Sequence, residues 1–178
     1  MLSSYESTLI GAEIGELCTS IGEQAFNSFR NLESISISSS VTNIKDYAFF
    51  NCYNLTSIII PNTVTNIGGS SFAGCKGLTS INIPNSVITI GNSAFYTCSG
   101  LTSVVISNSV TSMGYDVFYN CPNLTSITIN NNTPPLIGEY AFSATNSCPI
   151  YVPAESVNVY KSANGWNNYA YRIQAITN

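Results

Sequence analysis

Histidine is absent from this sequence, and charged side chains make up only 8% of its 178 residues. Without histidine the chain lacks the commonest general base and the commonest metal ligand. No pair of carboxylates recurs at a fixed spacing, and no glycine-rich phosphate loop follows a predicted strand. The serines and cysteines have no candidate base beside them. These absences predict a protein that is not an enzyme, with no catalytic residue, no metal site and no cofactor.

Basic residues and long apolar runs are equally scarce. Five Lys and Arg face nine Asp and Glu, which gives a net charge of −4. Nucleic-acid binding needs clustered cations that displace counterions from phosphates, so we expect no nucleic-acid partner. No apolar run reaches the roughly 20 residues of a transmembrane helix, so we expect no membrane insertion by this segment. The N-terminus also lacks the basic and apolar regions of a signal peptide.

The cysteines recur with a fixed interval rather than in close pairs. Four of the six lie 23 residues apart, at Cys52, Cys75, Cys98 and Cys121. A zinc site would pair them as C-x2-C, and a disulfide framework would place them irregularly. The interval therefore predicts a column of free thiols that act as small buried hydrophobes. Adjacent repeats would bring such thiols close enough for a bridge, but we do not expect one.

Internal repetition dominates the sequence. The consensus L-T-S-I-x-I-P-x-S-V-T-x-I-G-x-x-A-F-x-x-C-x-x recurs every 23 residues, with seven apolar columns in register. The phenylalanine column shows the register: Phe26, Phe49, Phe72, Phe95 and Phe118, then Phe142 one residue late where TPPLIG replaces the usual turn.

Each repeat is predicted to form one strand and one return segment. T-S-I-x-I alternates with period two, whereas I-G-x-x-A-F-x-x-C has the spacing of a short helix or turn with one apolar face. Because one unit cannot bury its own apolar face, the repeats should stack. We predict an α/β repeat solenoid, a right-handed rod with a parallel β-sheet on its concave face. The glycine that follows the Ile column predicts a permissive backbone there, although Lys45 interrupts the column.

The repetition divides the chain into three parts. Residues 1–17 form an irregular N-terminal segment, residues 18–147 carry the repeats, and residues 148–178 hold the last strand and a C-terminal helical cap. Ile150 and Val152 belong to the predicted last strand, and Trp166, Tyr169 and Ile173 are expected to cover the end of the core. No cap is recognisable before Cys18. The sequence therefore predicts an open N-terminal end through which the solenoid extends or self-associates.

Two segments carry a family resemblance: NLTSIIIPNTVTNIGGSSFAGC and GLTSINIPNSVITIGNSAFYTC. They closely resemble the BspA-like class of leucine-rich repeats, and the likeness runs from about residue 18 to residue 176. The tail from CPIYVP onwards is similar to the cap that ends such arrays in gut bacteria. The resemblance implies display on the cell surface, adhesion to host proteins or other cells, and protein or glycan partners. It implies a bacterial source or a parasitic protist, and a longer precursor that supplies the export signal.

One candidate ligand surface is the outward face of the strands. Positions that alternate with the buried pair should lie on the concave side, where one column is always serine and the next varies in every repeat. A variable exposed strip is typical of recognition, and the alternative is an exposed face without a ligand. The candidate residues are Ser57, Ile59, Ser80, Asn82, Ser103, Val105, Ser126 and Thr128.

A second candidate surface is aromatic and lies on the returns. Exposed tyrosines bring a large contact area at low entropic cost, which suits protein or glycan partners. The alternative is that they pack between neighbouring returns or against an adjacent domain. The candidates are Tyr47, Tyr53, Tyr96, Tyr115 and Tyr119.

Two functional classes follow from the sequence. The first is a non-enzymatic binding module of the adhesin type, displayed at the cell surface or outside the cell. The second is a structural spacer or assembly subunit, such as a stalk or a virion-type component, with no ligand of its own.

Overall fold

A computed structural model describes residues 8–177 of the chain. The described chain is a parallel-strand solenoid of about seven turns with few helices, which confirms the predicted fold class. In chain order the strands are β1 (Gly11–Ile14), β2 (Ser20–Ile21), β3 (Ser34–Ile37), β4 (Asn43–Ile44), β5 (Ser57–Ile58), β6 (Asn66–Ile67), β7 (Ser80–Ile83), β8 (Thr89–Ile90), β9 (Ser103–Ile106), β10 (Ser112–Met113), β11 (Ser126–Ile129), β12 (Leu136–Ile137), β13 (Ile150–Val152) and β14 (Ile173–Ala175). The single α-helix of the described residues, α1, spans Val157–Ser162, between 3-10 helices at Ala154–Ser156 and Trp166–Arg172.

The strands pair in parallel with the register that the 23-residue interval predicts. Ser80 lies opposite Ser103, and Ser103 lies opposite Ser126. Six of the seven two-residue strands form a second sheet in the order β12-β10-β8-β6-β4-β2, and the seventh, β5, pairs with the longer strands. Only β12 is displaced, with Leu136 opposite Ser112, because the preceding turn is one residue longer.

The sheet of longer strands is divided into two pieces. β1, β3 and β5 form a three-stranded sheet, whereas β7, β9, β11, β13 and β14 form a five-stranded one. β5 ends at Ile58, and the backbone bond from Thr79 N–H to the Thr56 carbonyl measures 3.4 Å, at the long end for a hydrogen bond. The longer strands therefore do not share one continuous ladder.

The core is built from the columns seen in the sequence. The phenylalanine rings stack face to face along the solenoid, with centroids 5.1 Å apart for Phe49 and Phe72 and 5.2 Å apart for Phe72 and Phe95. The leucine and cysteine columns are fully buried beside them, as Leu78 and Cys75 illustrate. Neighbouring repeats therefore bury the apolar face that one repeat would expose.

The returns are successions of turns and contain no helix among the described residues. Two corresponding positions in every return have a positive φ, and they are mostly not glycine; the last return has two more, at Asn146 and Ser147. Thr97 has φ 56° and Asn51 has φ 59°, whereas Gly74 is the one glycine in these positions. The glycines after the Ile column do not have positive φ, so the prediction of a permissive backbone there was wrong. A Cβ atom on Gly91 would lie 2.5 Å from the Gly69 nitrogen, so close approach to the preceding repeat requires glycine.

One set of backbone hydrogen bonds between returns runs towards the cap, whereas the Gly77 N–H donates back to the Tyr53 carbonyl of the preceding return. In each return three N–H groups donate to carbonyls of the next return, as Ser70 donates to Asn92, Phe72 to Ala94 and Gly74 to Tyr96. The carbonyls of the same peptide units accept from the return before. The returns are thus joined by three parallel columns of hydrogen-bonded peptides.

The cap is more regular than the sequence suggests. Trp166 and Tyr169 are buried and pack on the ring of Phe142, each with its ring centroid 5.5 Å away. The strand at Ile150 is not the last one, because β14 pairs with β13 and places Ile173 opposite Ile150. The cap therefore completes one further 23-residue turn.

The N-terminal end also carries a strand. β1 lies inside residues 1–17, which the sequence analysis describes as irregular, and pairs with β3. It extends the sheet of longer strands by one strand before the first predicted repeat.

Candidate functional site

The outward face of the five-stranded sheet brings six of the eight predicted strip residues together. Asn82, Val105 and Thr128 form one row across neighbouring strands, each opposite the next. Ser80, Ser103 and Ser126 form the adjoining row. Asn82 and Val105 are exposed and Thr128 is half-buried. We call these six residues, together with the residues that extend their rows, the strand strip.

The remaining two predicted residues lie on the other side of the break. Ser57 pairs with Ser34 in the three-stranded sheet, and Ile59 follows the end of β5. The Ile59 side chain is 83% exposed, which is unusual for an isoleucine. The predicted strip is therefore split between the two sheets.

Sequence reasoning missed two members of the strand strip. Tyr151 in β13 lies opposite Thr128, and Gln174 in β14 lies opposite Tyr151. Tyr151 is half-buried and Gln174 is exposed. The 23-residue interval from Thr128 to Tyr151 was the signal that could have found them. The row that begins at Asn82, which we call the outer row, thus continues through Val105 and Thr128 to Tyr151 and Gln174.

The invariant threonines beside the strip have a structural role. The hydroxyl of Thr102 donates to the Thr79 carbonyl at 3.0 Å, and that of Thr125 donates to the Thr102 carbonyl at 2.9 Å. These bonds join adjacent repeats. The consensus threonine is therefore accounted for without a ligand.

Tyr53 and Tyr47 are engaged by neighbours on the returns. The Tyr53 ring lies between two cations, with the Arg30 guanidinium 5.2 Å and the Lys76 amine 4.8 Å from its centroid. Tyr47 is 41% exposed and contacts Phe50 edge to face. Tyr53 therefore serves cation–π contacts within the chain.

The other predicted tyrosines lie nearer the cap. Tyr96 and Tyr119 stack with centroids 5.4 Å apart, and Tyr115 is 52% exposed. Two further exposed tyrosines were missed, Tyr140 in the last return and Tyr171 in the cap. Tyr140 lies in the same repeat position as Tyr47 once the longer turn is allowed for, whereas no repeat signal marks Tyr171.

The buried cysteines are free thiols and not nucleophiles. The four thiols of the 23-residue column, those of Cys52, Cys75, Cys98 and Cys121, each donate to a carbonyl of the preceding repeat, as Cys98 Sγ does to the Phe72 carbonyl at 3.0 Å. Burial raises the pKa of the Cys52 and Cys121 thiols to about 12 and that of Cys98 well above its ordinary value. A thiol that stays protonated at neutral pH attacks poorly.

Residues 8–177 contain no group of three His, Cys, Asp or Glu side chains that could hold a metal ion. Over the same residues no helix is long and apolar enough to cross a membrane.

Comparisons with known proteins agree with this geometry. The family model described as "BspA type Leucine rich repeat region (6 copies)" matches residues 19–149. The structure is similar to a leucine-rich-repeat protein of T. pallidum, with 26% identity and a TM-score of 0.76 over 94% of this chain and 73% of that one. It is also similar in fold to the pneumococcal vaccine antigen PcpA, with 18% identity and a TM-score of 0.74 over 95% of this chain and 41% of that one. The search of curated proteins found no match. The chain belongs to the BspA-type leucine-rich-repeat family.

Proposed function

We propose that the chain is a non-enzymatic binding module, displayed at the cell surface or outside the cell, that holds an extended protein segment on the strand strip. The single observation that carries the proposal is the outer row of the strip, which continues from the repeats into the cap. The side chain changes from each strand to the next. The row presents an amide at Asn82, an isopropyl group at Val105, a hydroxyl at Thr128, a phenol at Tyr151 and an amide at Gln174. Such a row offers a different contact to each position of an extended ligand.

The dimensions of the strip suit a peptide. Five strands at about 4.8 Å separation span roughly 20 Å, which is the length of about six extended residues. A surface of that width is much smaller than the area that two proteins bury in a broad interface. The Val105 and Tyr151 side chains supply apolar contact, while Asn82, Thr128 and Gln174 supply hydrogen-bonding groups. The nearly uncharged surface favours a ligand without a strong charge.

Selection from a peptide display library with the intact chain as bait tests this proposal. We expect selected peptides to lose binding to Asn82→Lys and Thr128→Lys, because each lysine places a charge and a long side chain in the row. Asn85→Lys is the matched control, since Asn85 is equally exposed but lies in the turn after β7. Peptides that bind all three variants as well as the parent chain would remove the strand strip from consideration.

Surface display is tested separately on intact cells of the source organism. Antibodies against the folded chain should label unpermeabilised cells, and external protease should remove that label. Labelling that requires permeabilisation would contradict surface display while leaving peptide binding intact.

Self-association through the N-terminal end is the second candidate function. An apolar cavity of about 550 Å³ lies at that end of the described chain and is lined by Leu9, Ile14, Ile21, Ala25, Phe26 and Phe29. Phe26 is half-buried there, whereas Phe49, Phe72 and Phe95 are fully buried. An assembly role predicts a concentration-dependent mass in sedimentation experiments, abolished by Ala25→Glu. A monomer at every concentration would exclude it.

A further inference from the structure

A large polar cavity lies where the cap meets the last return. It has a volume of about 720 Å³, within the roughly 300–1,000 Å³ of small-molecule sites. The last return contributes Glu139, Tyr140, Ala144 and Asn146, and the cap contributes Asn168 and Tyr171, among others. It is separate from the strand strip, because none of its lining residues belongs to the strands of the five-stranded sheet.

The last return has backbone N–H groups whose counterparts in every earlier return donate to a carbonyl of the next return. Asp116 and Asn120 donate to the Glu139 and Ser143 carbonyls, but the corresponding N–H groups of Tyr140 and Ala144 have no acceptor among residues 8–177. Between them, the Phe142 N–H donates to the Tyr169 hydroxyl at 3.3 Å. The Tyr169 hydroxyl thus takes the place of the carbonyl that a following return would offer to Phe142. The Tyr140 and Ala144 N–H groups remain free to donate to a ligand.

A buried guanidinium forms part of the cavity lining. Arg172 is 4% exposed and donates to the Cys148 carbonyl at 2.8 Å, the Phe142 carbonyl at 2.9 Å and the Thr145 hydroxyl at 2.8 Å. None of these acceptors is a carboxylate. The guanidinium therefore holds the lining in place and leaves a positive charge beside the cavity.

The charges of the lining point to a neutral ligand. The Glu139 carboxylate lines the same cavity as Arg172, so an anion would be repelled by one group and a cation by the other. The lining offers both donors and acceptors, through Glu139, Asn146, Asn168 and the two free N–H groups. Neighbouring hydroxyl groups of a sugar each donate and accept, which matches such a mixed lining.

Aromatic rings border the cavity on both sides. Tyr140 is 58% exposed and Tyr171 is 74% exposed. Tyr140 also lines an adjoining cleft of about 570 Å³ with the stacked Tyr96 and Tyr119. Flat exposed rings contact the apolar faces of sugar rings at low entropic cost.

We propose that this cavity, which we call the cap pocket, binds a neutral hexose-containing oligosaccharide. One sugar ring enters the cavity against Tyr171 and Tyr140, and its hydroxyls bond to Glu139, the amides and the Tyr140 and Ala144 N–H groups. Further sugar units lie along the cleft towards Tyr119 and Tyr96. This is a second site, and it does not depend on the peptide site of the strand strip.

Calorimetric titration of the intact chain with malto-, cello-, laminari- and manno-oligosaccharides tests the proposal, with oligogalacturonate as a charged counterpart. We expect at least one neutral series to bind, and oligogalacturonate to bind more weakly. Tyr171→Ala and Glu139→Gln should each weaken binding about tenfold or more, because they remove the stacking face and the charged acceptor. Both side chains are exposed, so circular dichroism of the variants should match that of the parent chain.

Two controls separate this site from the others. Tyr47→Ala removes an exposed tyrosine from a distant return, and Asn82→Lys disrupts the strand strip; neither should change sugar binding. The proposal is overturned if no neutral series binds at millimolar concentration, or if oligogalacturonate binds most tightly. It is equally overturned if Tyr171→Ala and Glu139→Gln bind like the parent chain. Failure of peptide selection with retained sugar binding would remove the strand strip alone.

Discussion

Glycine is required after the Ile column because of contact between repeats, not because of backbone conformation. The Cβ atom of an alanine at Gly91 would lie 2.5 Å from the Gly69 nitrogen and 2.7 Å from the Gly68 carbonyl carbon. These are backbone atoms, so they can move apart only if the repeats separate. Lys45 occupies the corresponding position in the repeat after Gly22, where its side chain is exposed.

Gly91→Ala is therefore expected to lower the free energy of unfolding by about 1–3 kcal/mol, as overpacking does in protein cores. Gly22→Ala is the matched control, since nothing lies within 4 Å of its Cβ position. It should change stability by less than about 0.5 kcal/mol. Urea denaturation of the two variants measures both values, and equal losses would contradict the contact explanation.

The backbone conformation of the returns is a feature that the sequence could not predict. Tyr47, Thr97 and Asp116 occupy left-handed backbone positions without the glycine that usually marks them. A β-branched threonine there costs about 1 kcal/mol or more, which the surrounding hydrogen bonds must offset. The register of Ser103 and Ser126 followed from spacing alone, whereas these conformations depend on bonds to adjacent returns. The cap pocket likewise arises from docking of the cap, which no local pattern records.

The cysteine column forms an element of its own, a line of thiols that each bond to the repeat before. Its stability contribution depends on pH. Below about pH 9 these thiols are protonated in both the folded and the unfolded chain. Above that pH the unfolded thiols lose protons that the folded ones retain, so the free energy of unfolding falls as pH rises towards about 12. Each buried thiol adds up to about 1.4 kcal/mol per pH unit to this fall.

Cys98→Ser tests this dependence, because serine keeps the donor to the Phe72 carbonyl and does not titrate in that range. We expect the fall in stability between about pH 9 and pH 11 to be shallower by about 1.4 kcal/mol per pH unit. Urea denaturation at several pH values measures the slope. Cys18→Ser, at an exposed thiol, is the matched control. A Cys98→Ser slope equal to that of the parent chain would show that this thiol ionises in the folded state.

At the scale of the whole molecule, each repeat is stabilised by its contacts with the two adjacent repeats. Phe72 stacks on Phe49 and Phe95 and lies near the break in the sheet of longer strands. Because a solenoid has only nearest-neighbour contacts, a defect there should separate the repeats before it from those after it. The single tryptophan, Trp166, reports on the cap side alone.

Phe72→Ala should lower the free energy of unfolding by about 3–5 kcal/mol. Its unfolding followed by circular dichroism should begin at lower urea than its unfolding followed by Trp166 fluorescence. In the parent chain the two transitions should coincide. Coincident transitions in the variant as well would indicate that the solenoid unfolds as one unit in spite of the defect.

The three columns of hydrogen-bonded peptides in the returns end at the cap pocket. Each peptide unit in these columns carries a dipole of about 3.5 D with its N–H towards the cap, whereas beside the strands the Thr79, Ile88 and Gly91 N–H groups donate to the preceding repeat. The two sets of dipoles therefore oppose each other along the solenoid, and the effect of the columns is local to their ends. At the last return the Tyr140 and Ala144 N–H groups present partial positive charge to the cap pocket, where it attracts ligand oxygen atoms.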